Sequence, residues 1–225
     1  MKSIHAIIPL RRRRGFTLVE LLVTITIIVI LAALGFMGSK SFLKKAAAVK
    51  DATNMRGLWT AVSLYAADNS DRLPGPINSG QKALYGLAST GRISFYIAPY
   101  LGLENPKPND FIDAMASSWQ KTPANKAAPC YLIRSDVPLS QDPAATTFQP
   151  WGYPGKSRPM TMAAALSRID PSRTWAITDV DQLHPDAAGA GWLNDVPDGM
   201  AHGNYRLAMY FDGSGGKVNV HNKPL

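Results

Sequence analysis

Three histidines, His184, His202 and His221, lie among the acids Asp179, Asp181, Asp186, Asp195, Asp198 and Asp212 near the carboxyl end. Such a set could serve a hydrolase or bind a metal ion. No HExxH, GxSxG, phosphate-binding loop or GxGxxG accompanies it, and no two histidines stand four apart, the spacing that shares a helical face. A structural hydrogen bond from His202 to Asp212, pinning a hairpin, is therefore expected ahead of catalysis. Calcium suits the oxygen-rich turns TDVDQLHPD and LNDVPDG better than zinc would, though no ligand can be assigned and solvated loop carboxylates are the ordinary account. The single cysteine, Cys130, excludes an intramolecular disulfide and a CxxC metal site; its apolar neighbours predict a buried, inert thiol. Trp151, Tyr153, Trp175 and Trp192 could form a sugar or peptide platform, but core packing is their expected role.

The second chemical feature is at the other end. Residues 11–22 read RRRRGFTLVELL, four arginines and a glycine before an apolar run that carries Glu20. Residues 21–39 then hold nineteen positions without a charge. As a helix at ~1.5 Å per residue they would extend ~28 Å, close to the apolar thickness of a bilayer. Thr24 and Thr26 can return their hydroxyls to the helix backbone. A polybasic segment before such a span stays cytoplasmic by the positive-inside rule, which puts the carboxyl side across the membrane.

Charge placement supports this division. Of 24 Lys+Arg, five (Lys2 and Arg11 to Arg14) fall in the first fifteen residues, leaving 19 against 16 Asp+Glu. The basic balance belongs mostly to a leader. The body lacks the basic stripe that nucleic-acid binding requires, and no nucleic-acid partner is expected. With 46% hydrophobic residues in 225, a folded body with its own core is feasible.

A secretory signal cut at ALG, residues 33–35, or a twin-arginine signal at Arg13-Arg14-Gly15-Phe16, would explain the basic and apolar segments but leaves Glu20 without a role. GFTLVELLVTITIIVILAAL resembles the amino-terminal signal of type IV pilins and type II secretion pseudopilins. The resemblance implies cleavage between Gly15 and Phe16 by prepilin peptidase and N-methylation of Phe16. Glu20 is then the fifth mature residue, the family's glutamate position. In a filament core an unpaired carboxylate is costly, and the resemblance implies that a neighbouring subunit's terminal amine neutralises it. A slip in register would strand both charges.

Beyond Lys40, Lys44 and Lys45 the helical pattern continues. Met55, Leu58, Trp59, Val62, Tyr65 and Ala66 form one apolar stripe, with Gly57 a mild defect, and the helix must end before Pro74. Tyr65, Asp68, Leu73 and Pro74 stand where pseudopilins are similar. The middle of the chain reads as irregular, with short helices predicted over residues 110–119, capped by Asp110, and 160–169. Residues 174–180, 205–211 and 217–220 predict strands, the last two joined through the glycines of 212–216. His202, nine residues, then Asp212-Gly213 matches an H-x9-DG signature found at the end of a subgroup of bacterial pilin-like proteins.

The expected architecture is α+β and pilin-like: a long amino-terminal helix packed on a carboxyl-terminal antiparallel sheet. Its parts are a leader (1–15), a transmembrane and filament-core helix (16–39), an amphipathic stem (40–72) and a globular domain (73–225). The expected function is structural and not enzymatic, a pseudopilin of a type II secretion-type filament. It would partner other pilin-like subunits, prepilin peptidase and the inner-membrane assembly platform, with its body outside the inner membrane. The alternatives are a type IV pilin or minor pilin and, in another class, a signal-anchored periplasmic binding protein or enzyme.

Overall fold

The computed structural model describes residues 16–139 and 146–219, except for the side chains of residues 35–40. The expected leader, residues 1–15 with Gly15, lies outside the described residues, as do Val220 and His221. Helix α1 (Leu18–Asp68) runs 51 residues. The chain divides into two compact units, Met1–Lys44 and Lys45–Leu225.

In the first unit the described side chains of α1 bury nothing. Leu18, Val19, Leu22, Ile25, Ile28, Val29 and Leu31 are all exposed, around the whole circumference. Helices apolar on every face are normally covered by protein or lipid. Thr24 returns its hydroxyl to the Glu20 carbonyl and Thr26 to Leu22. Among the described residues no helix is long and apolar enough to cross a membrane. The uncharged run of 21–39 ends within the positions whose side chains are not described.

In the second unit the rest of α1 packs on an antiparallel sheet. Met55, Leu58, Trp59, Val62 and Ala66 are buried at three- and four-residue spacing, with Tyr65 half-buried. Gly57 lies on the open side, with nothing near its missing Cβ. The helix stops where Ser70 and Asp71 take positive φ (55° and 63°) and Asp71 N–H closes back on Ala66 O at 2.8 Å. That turn delivers Leu73, fully buried, beside residues 160 and 161.

The described strands are β1 (Gly80–Lys82), β2 (Pro129–Ile133), β3 (Val137–Pro138), β4 (Thr147–Phe148), β5 (Trp175–Asp179), β6 (Tyr205–Tyr210) and β7 (Gly215–Asn219). The main sheet has the order β1-β2-β5-β6-β7, and β3 pairs with β4 apart from it. Alternation sorts β6 as its sequence predicts. Leu207, Met209 and Phe211 enter the core beneath the stem, while Ala208 and Tyr210 pack with Leu132, Trp175 and Val218 behind the sheet. The second face is covered by Ala187 and Val196, from the excursion between β5 and β6.

The short helices are α2 (Ser94–Ile97), α3 (Pro123–Lys126) and α4 (Met162–Leu166). Helix α4 falls within the expected 160–169, and Thr161 caps it by accepting from Ala164 N–H. The helix expected over 110–119 shrinks to one 3-10 turn, Asp113–Met115. Asp110 does not cap it; its carboxylate accepts from Lys107 N–H at 2.7 Å, three residues before it and not after it. Residues 113–118 instead lie against the stem. Asn54 donates to the carbonyls of Asp113 and Ala116, and Lys50 reaches the Asp113 carboxylate.

Candidate functional site

At the start of α1 the carboxylate of Glu20 folds back on Thr17. Its Oε2 accepts from the Thr17 N–H and from the Thr17 hydroxyl, both at 2.9 Å, and Thr17 Oγ1 accepts from Glu20 N–H at 3.3 Å. This is a reciprocal capping box, in which two otherwise orphaned backbone donors are satisfied. Its T-x-x-E spacing is legible at residues 17–20 and adds a local role for Glu20 that the apolar run alone did not suggest. The group remains fully open to solvent, so it is still available to a second charge.

The carboxyl-terminal motif is arranged differently from expectation. His202 and Asp212 do not bond to each other. They flank the six residues of β6, which extend ~20 Å at ~3.3 Å per residue. The nine-residue spacing therefore spans a strand and places each end at a different contact with the stem. Asp212 accepts from Ser214 N–H at 2.8 Å, a local turn contact. Gly213 has φ of +81° and lies directly against Trp59.

His202 is buried between two acids. Its Nε2 stands 3.2 Å from Asp179 Oδ2 and 3.5 Å from Asp51 Oδ2, with side-chain exposures of 2%, 2% and 0%. No contact of Nε2 meets hydrogen-bond geometry, so the two approaches are ion pairs when the ring is protonated, and Asp179 Oδ1 has no hydrogen-bond partner. Charge attraction tolerates such geometry better than a hydrogen bond does.

Each member is held by its element. Ile177 and Asp179 share the stem face of β5 by strand alternation. Asp51 continues the stem's buried stripe one turn before Met55. Its Oδ1 accepts from Ser118 N–H at 2.8 Å, and its Oδ2 from the hydroxyls of Ser118 at 2.6 Å and Ser117 at 3.3 Å. The imidazole stacks on Tyr205 with centroids 5.4 Å apart. Extending the apolar stripe backwards by four residues would have found Asp51; Ser117 and Ser118 carry no sequence signal.

Burial is the main force on both titrating groups. It raises the Asp51 carboxyl above its ordinary range, the charge of Asp179 adds to this, and the Ser118 bonds and His202 oppose it without cancelling it. Burial alone would lower His202. The Asp179 contact and the charges of Asp179 and Asp51 outweigh it against a small push from Lys217, so the imidazole sits above its ordinary value.

The remaining candidates have structural partners. Asp181 takes Arg206 in a buried bidentate pair, 2.6 Å to Nε and 2.8 Å to Nη2. Asp179 Oδ2 accepts from Leu207 N–H at 2.8 Å. His184 Nδ1 accepts from Asp186 N–H, and the ring lies edge-on to Trp175. Asp195 and Asp198 are exposed. Of the three acids in TDVDQLHPD, Asp179 and Asp181 are turned inward and Asp186 is exposed. Among the described residues no group of three His, Cys, Asp or Glu is placed to hold a metal ion. Cys130 is fully buried, and burial drives its thiol far above the ordinary value, so it is no nucleophile. Trp151 and Trp175 are core residues. A groove of about 260 Å³ between the stem and β6–β7 is floored by Met55, Leu207 and Met209 and edged by Arg56 and Lys217, with no acid, histidine or nucleophile in its lining.

Comparison with known proteins returns one family model, the prokaryotic N-terminal methylation motif, at residues 10–36. No curated protein and no solved structure matches the chain. The matched segment contains Gly15, Phe16 and Glu20, and it supports a type IV pilin-like protein with a prepilin-type, methylated amino terminus, a kind of structural subunit that is usually not an enzyme.

Proposed function

We propose that this chain is a pseudopilin, a structural subunit of a type II secretion-type filament. The motif match at residues 10–36 carries the reading. In this account prepilin peptidase cuts between Gly15 and Phe16, which removes the four arginines and leaves an amine on Phe16 that is then methylated. Residues 16–39 anchor the subunit in the inner membrane, with the body on the outer side, until an assembly platform draws it into a filament. The exposed Leu, Ile and Val side chains around α1 support this, because such a surface needs either lipid or identical helices to cover it. Glu20 is the one carboxylate in that helix before residue 51. In a packed core a neighbour's Phe16 amine would neutralise it.

A secretion pseudopilin is preferred to a type IV pilin on two features. Tyr65, Asp68, Leu73 and Pro74 lead into the body in the pseudopilin manner, and one cysteine cannot close a terminal disulfide loop. In the structure Tyr100 donates to Asp68 at 3.0 Å, and Tyr65 packs edge-on to Tyr96 and Tyr100, so this segment seats the end of the stem on the body.

The deciding experiment is the intact mass of protein extracted from membranes. A mass short by residues 1–15 and heavier by one methyl group supports the reading. Cleavage after Gly35, or a retained arginine segment, refutes it.

A further inference from the structure

The largely apolar contact between stem and sheet holds a buried polar cluster. Asp51 comes from the stem, Asp179 from β5 and His202 from the loop before β6, and Ser117 and Ser118 hold Asp51 from the 113–118 segment. The same segment is tied to the stem by Lys50, next to Asp51, and by Asn54, about one turn further on. The side chains of Asp51, Asp179 and His202 are shielded from water, yet Nε2 of His202 and Oδ1 of Asp179 have no hydrogen-bond partner. A buried polar atom without a partner is costly unless charge compensates it.

We propose that Asp51, Asp179 and His202 form a proton-binding site that locks the stem onto the sheet. With its second proton the imidazolium bridges two carboxylates that share one nitrogen. A neutral imidazole with its hydrogen on Nε2 can serve one of the two acids, and with its hydrogen on Nδ1 it serves neither. Releasing that proton to water therefore leaves surplus negative charge in a dry contact, and the stem segment around Asp51 loosens from β5 and from residues 113–118. The inference does not depend on filament assembly.

Other groups around the site set the direction. Lys217 on β7 is the cation that opposes protonation of His202. On β2, Tyr131 and Cys130 are neutral, since burial holds both well above their ordinary values. Tyr205 contributes a ring face. Among the described residues the two acids are the only anions against the imidazole, so attraction wins. A group raised in the fold contributes stability that is complete below its unfolded value, ordinarily 6.5 for histidine, and that is lost as pH rises through the folded value. Asp51, also raised, contributes with the same sign from the carboxylate range upward.

The test uses the full chain in detergent. The His202 ring protons are followed by NMR against pH, with His202→Gln identifying the resonance, while melting temperature and stem amide exchange, corrected for its intrinsic pH dependence, are followed in parallel. The proposal expects His202 to titrate above ~6.5, the melting temperature to fall through that titration, and protection around Asp51 to fall with it. Asp51→Asn moves the His202 titration downward, and His202→Gln reduces the slope across the interval in which His202 titrates. A His202 titration at or below the ordinary value overturns the proposal, as does a slope across that interval that His202→Gln leaves unchanged. A rise in melting temperature with ZnCl2 or CaCl2 that His202→Gln removes also overturns it, because the site would then belong to a metal ion. Should the variants fail to fold, titration and exchange in the unaltered chain still decide.

Discussion

Trp59 of the stem presses on Gly213 at the tip of the β6–β7 hairpin, so closely that a Cβ on Gly213 would stand 2.9 Å from the indole Nε1. Gly213 also has φ of +81°, a conformation that side chains resist. Two independent reasons thus call for glycine here. Phe211, two residues earlier, and Trp151 complete the aromatic packing around Trp59, with centroids 6.1 Å and 6.5 Å away. The hairpin tip is in this way part of the stem's seat.

Gly213→Ala is expected to lower stability by ~1–3 kcal/mol through backbone strain and contact with the indole. Chemical denaturation of Gly213→Ala, Trp59→Phe and the double variant measures the coupling. The double variant should lose less than the sum, since the smaller ring relieves the contact but leaves the strained φ. Strict additivity would show that the close approach has no energetic weight.

Asp181→Asn leaves the Arg206 guanidinium buried without its anion. The expected loss is ~3–5 kcal/mol, the range for breaking one side of a buried pair. Replacing both, with Asp181→Leu and Arg206→Met, should cost much less, because no charge is then stranded. Equal losses in the single and double variants would mean that the back-face packing, and not charge, dominates.

His184 titrates in the opposite sense to His202. Burial, with Arg206 adjacent, lowers it to about 4. Its neutral form belongs to the fold, so its contribution is complete above ~6.5 and is lost progressively as pH falls towards ~4. His184→Gln should flatten the acid arm of the stability profile and leave the alkaline arm, where His202 acts, in place. Melting temperature measured across both arms separates the two histidines.

Glu20→Ala and Thr17→Val separate charge from capping. Each variant breaks the reciprocal box: Glu20→Ala removes the two bonds that the carboxylate accepts, and Thr17→Val removes the two that the hydroxyl makes while the backbone N–H of residue 17 can still donate to Glu20. Only Glu20→Ala loses the carboxylate. Cleavage and methylation should continue in both, while incorporation into filaments should fail in Glu20→Ala and persist in Thr17→Val. If Thr17→Val fails equally, the cap and not the charge is what assembly requires.

Several elements were legible because they depend on local periodicity. The 3.6-residue stripe from Met55 to Ala66 identifies the buried face of the stem, and the two-residue alternation in β6 assigns both faces of the sheet. The amino-terminal motif was legible for a different reason: its chemistry is linear, a peptide bond, a new terminus and an acid at fixed distance. The helix expected at 110–119 failed because packing against Asp51 and Asn54 claims backbone groups of Asp113, Ala116 and Ser118. Local propensity in so short a segment is too weak to compete with that packing.

His202 shows where local reading ends. The sequence alone determined that a histidine and an Asp-Gly pair bracket one strand-length, and that an apolar run carrying a single acid lies within the methylation motif of residues 10–36. It could not say what the histidine faces. Asp51 is 151 positions earlier and Asp179 is 23 positions earlier, and only the stacking of α1 on β5 brings them within 3.5 Å of one nitrogen. Periodicity determines which face of an element is buried, since that follows from backbone geometry along the chain. Which polar groups meet on the buried faces depends on how separate elements pack, and that was decided in three dimensions, where removing water from the contact makes each pairing count.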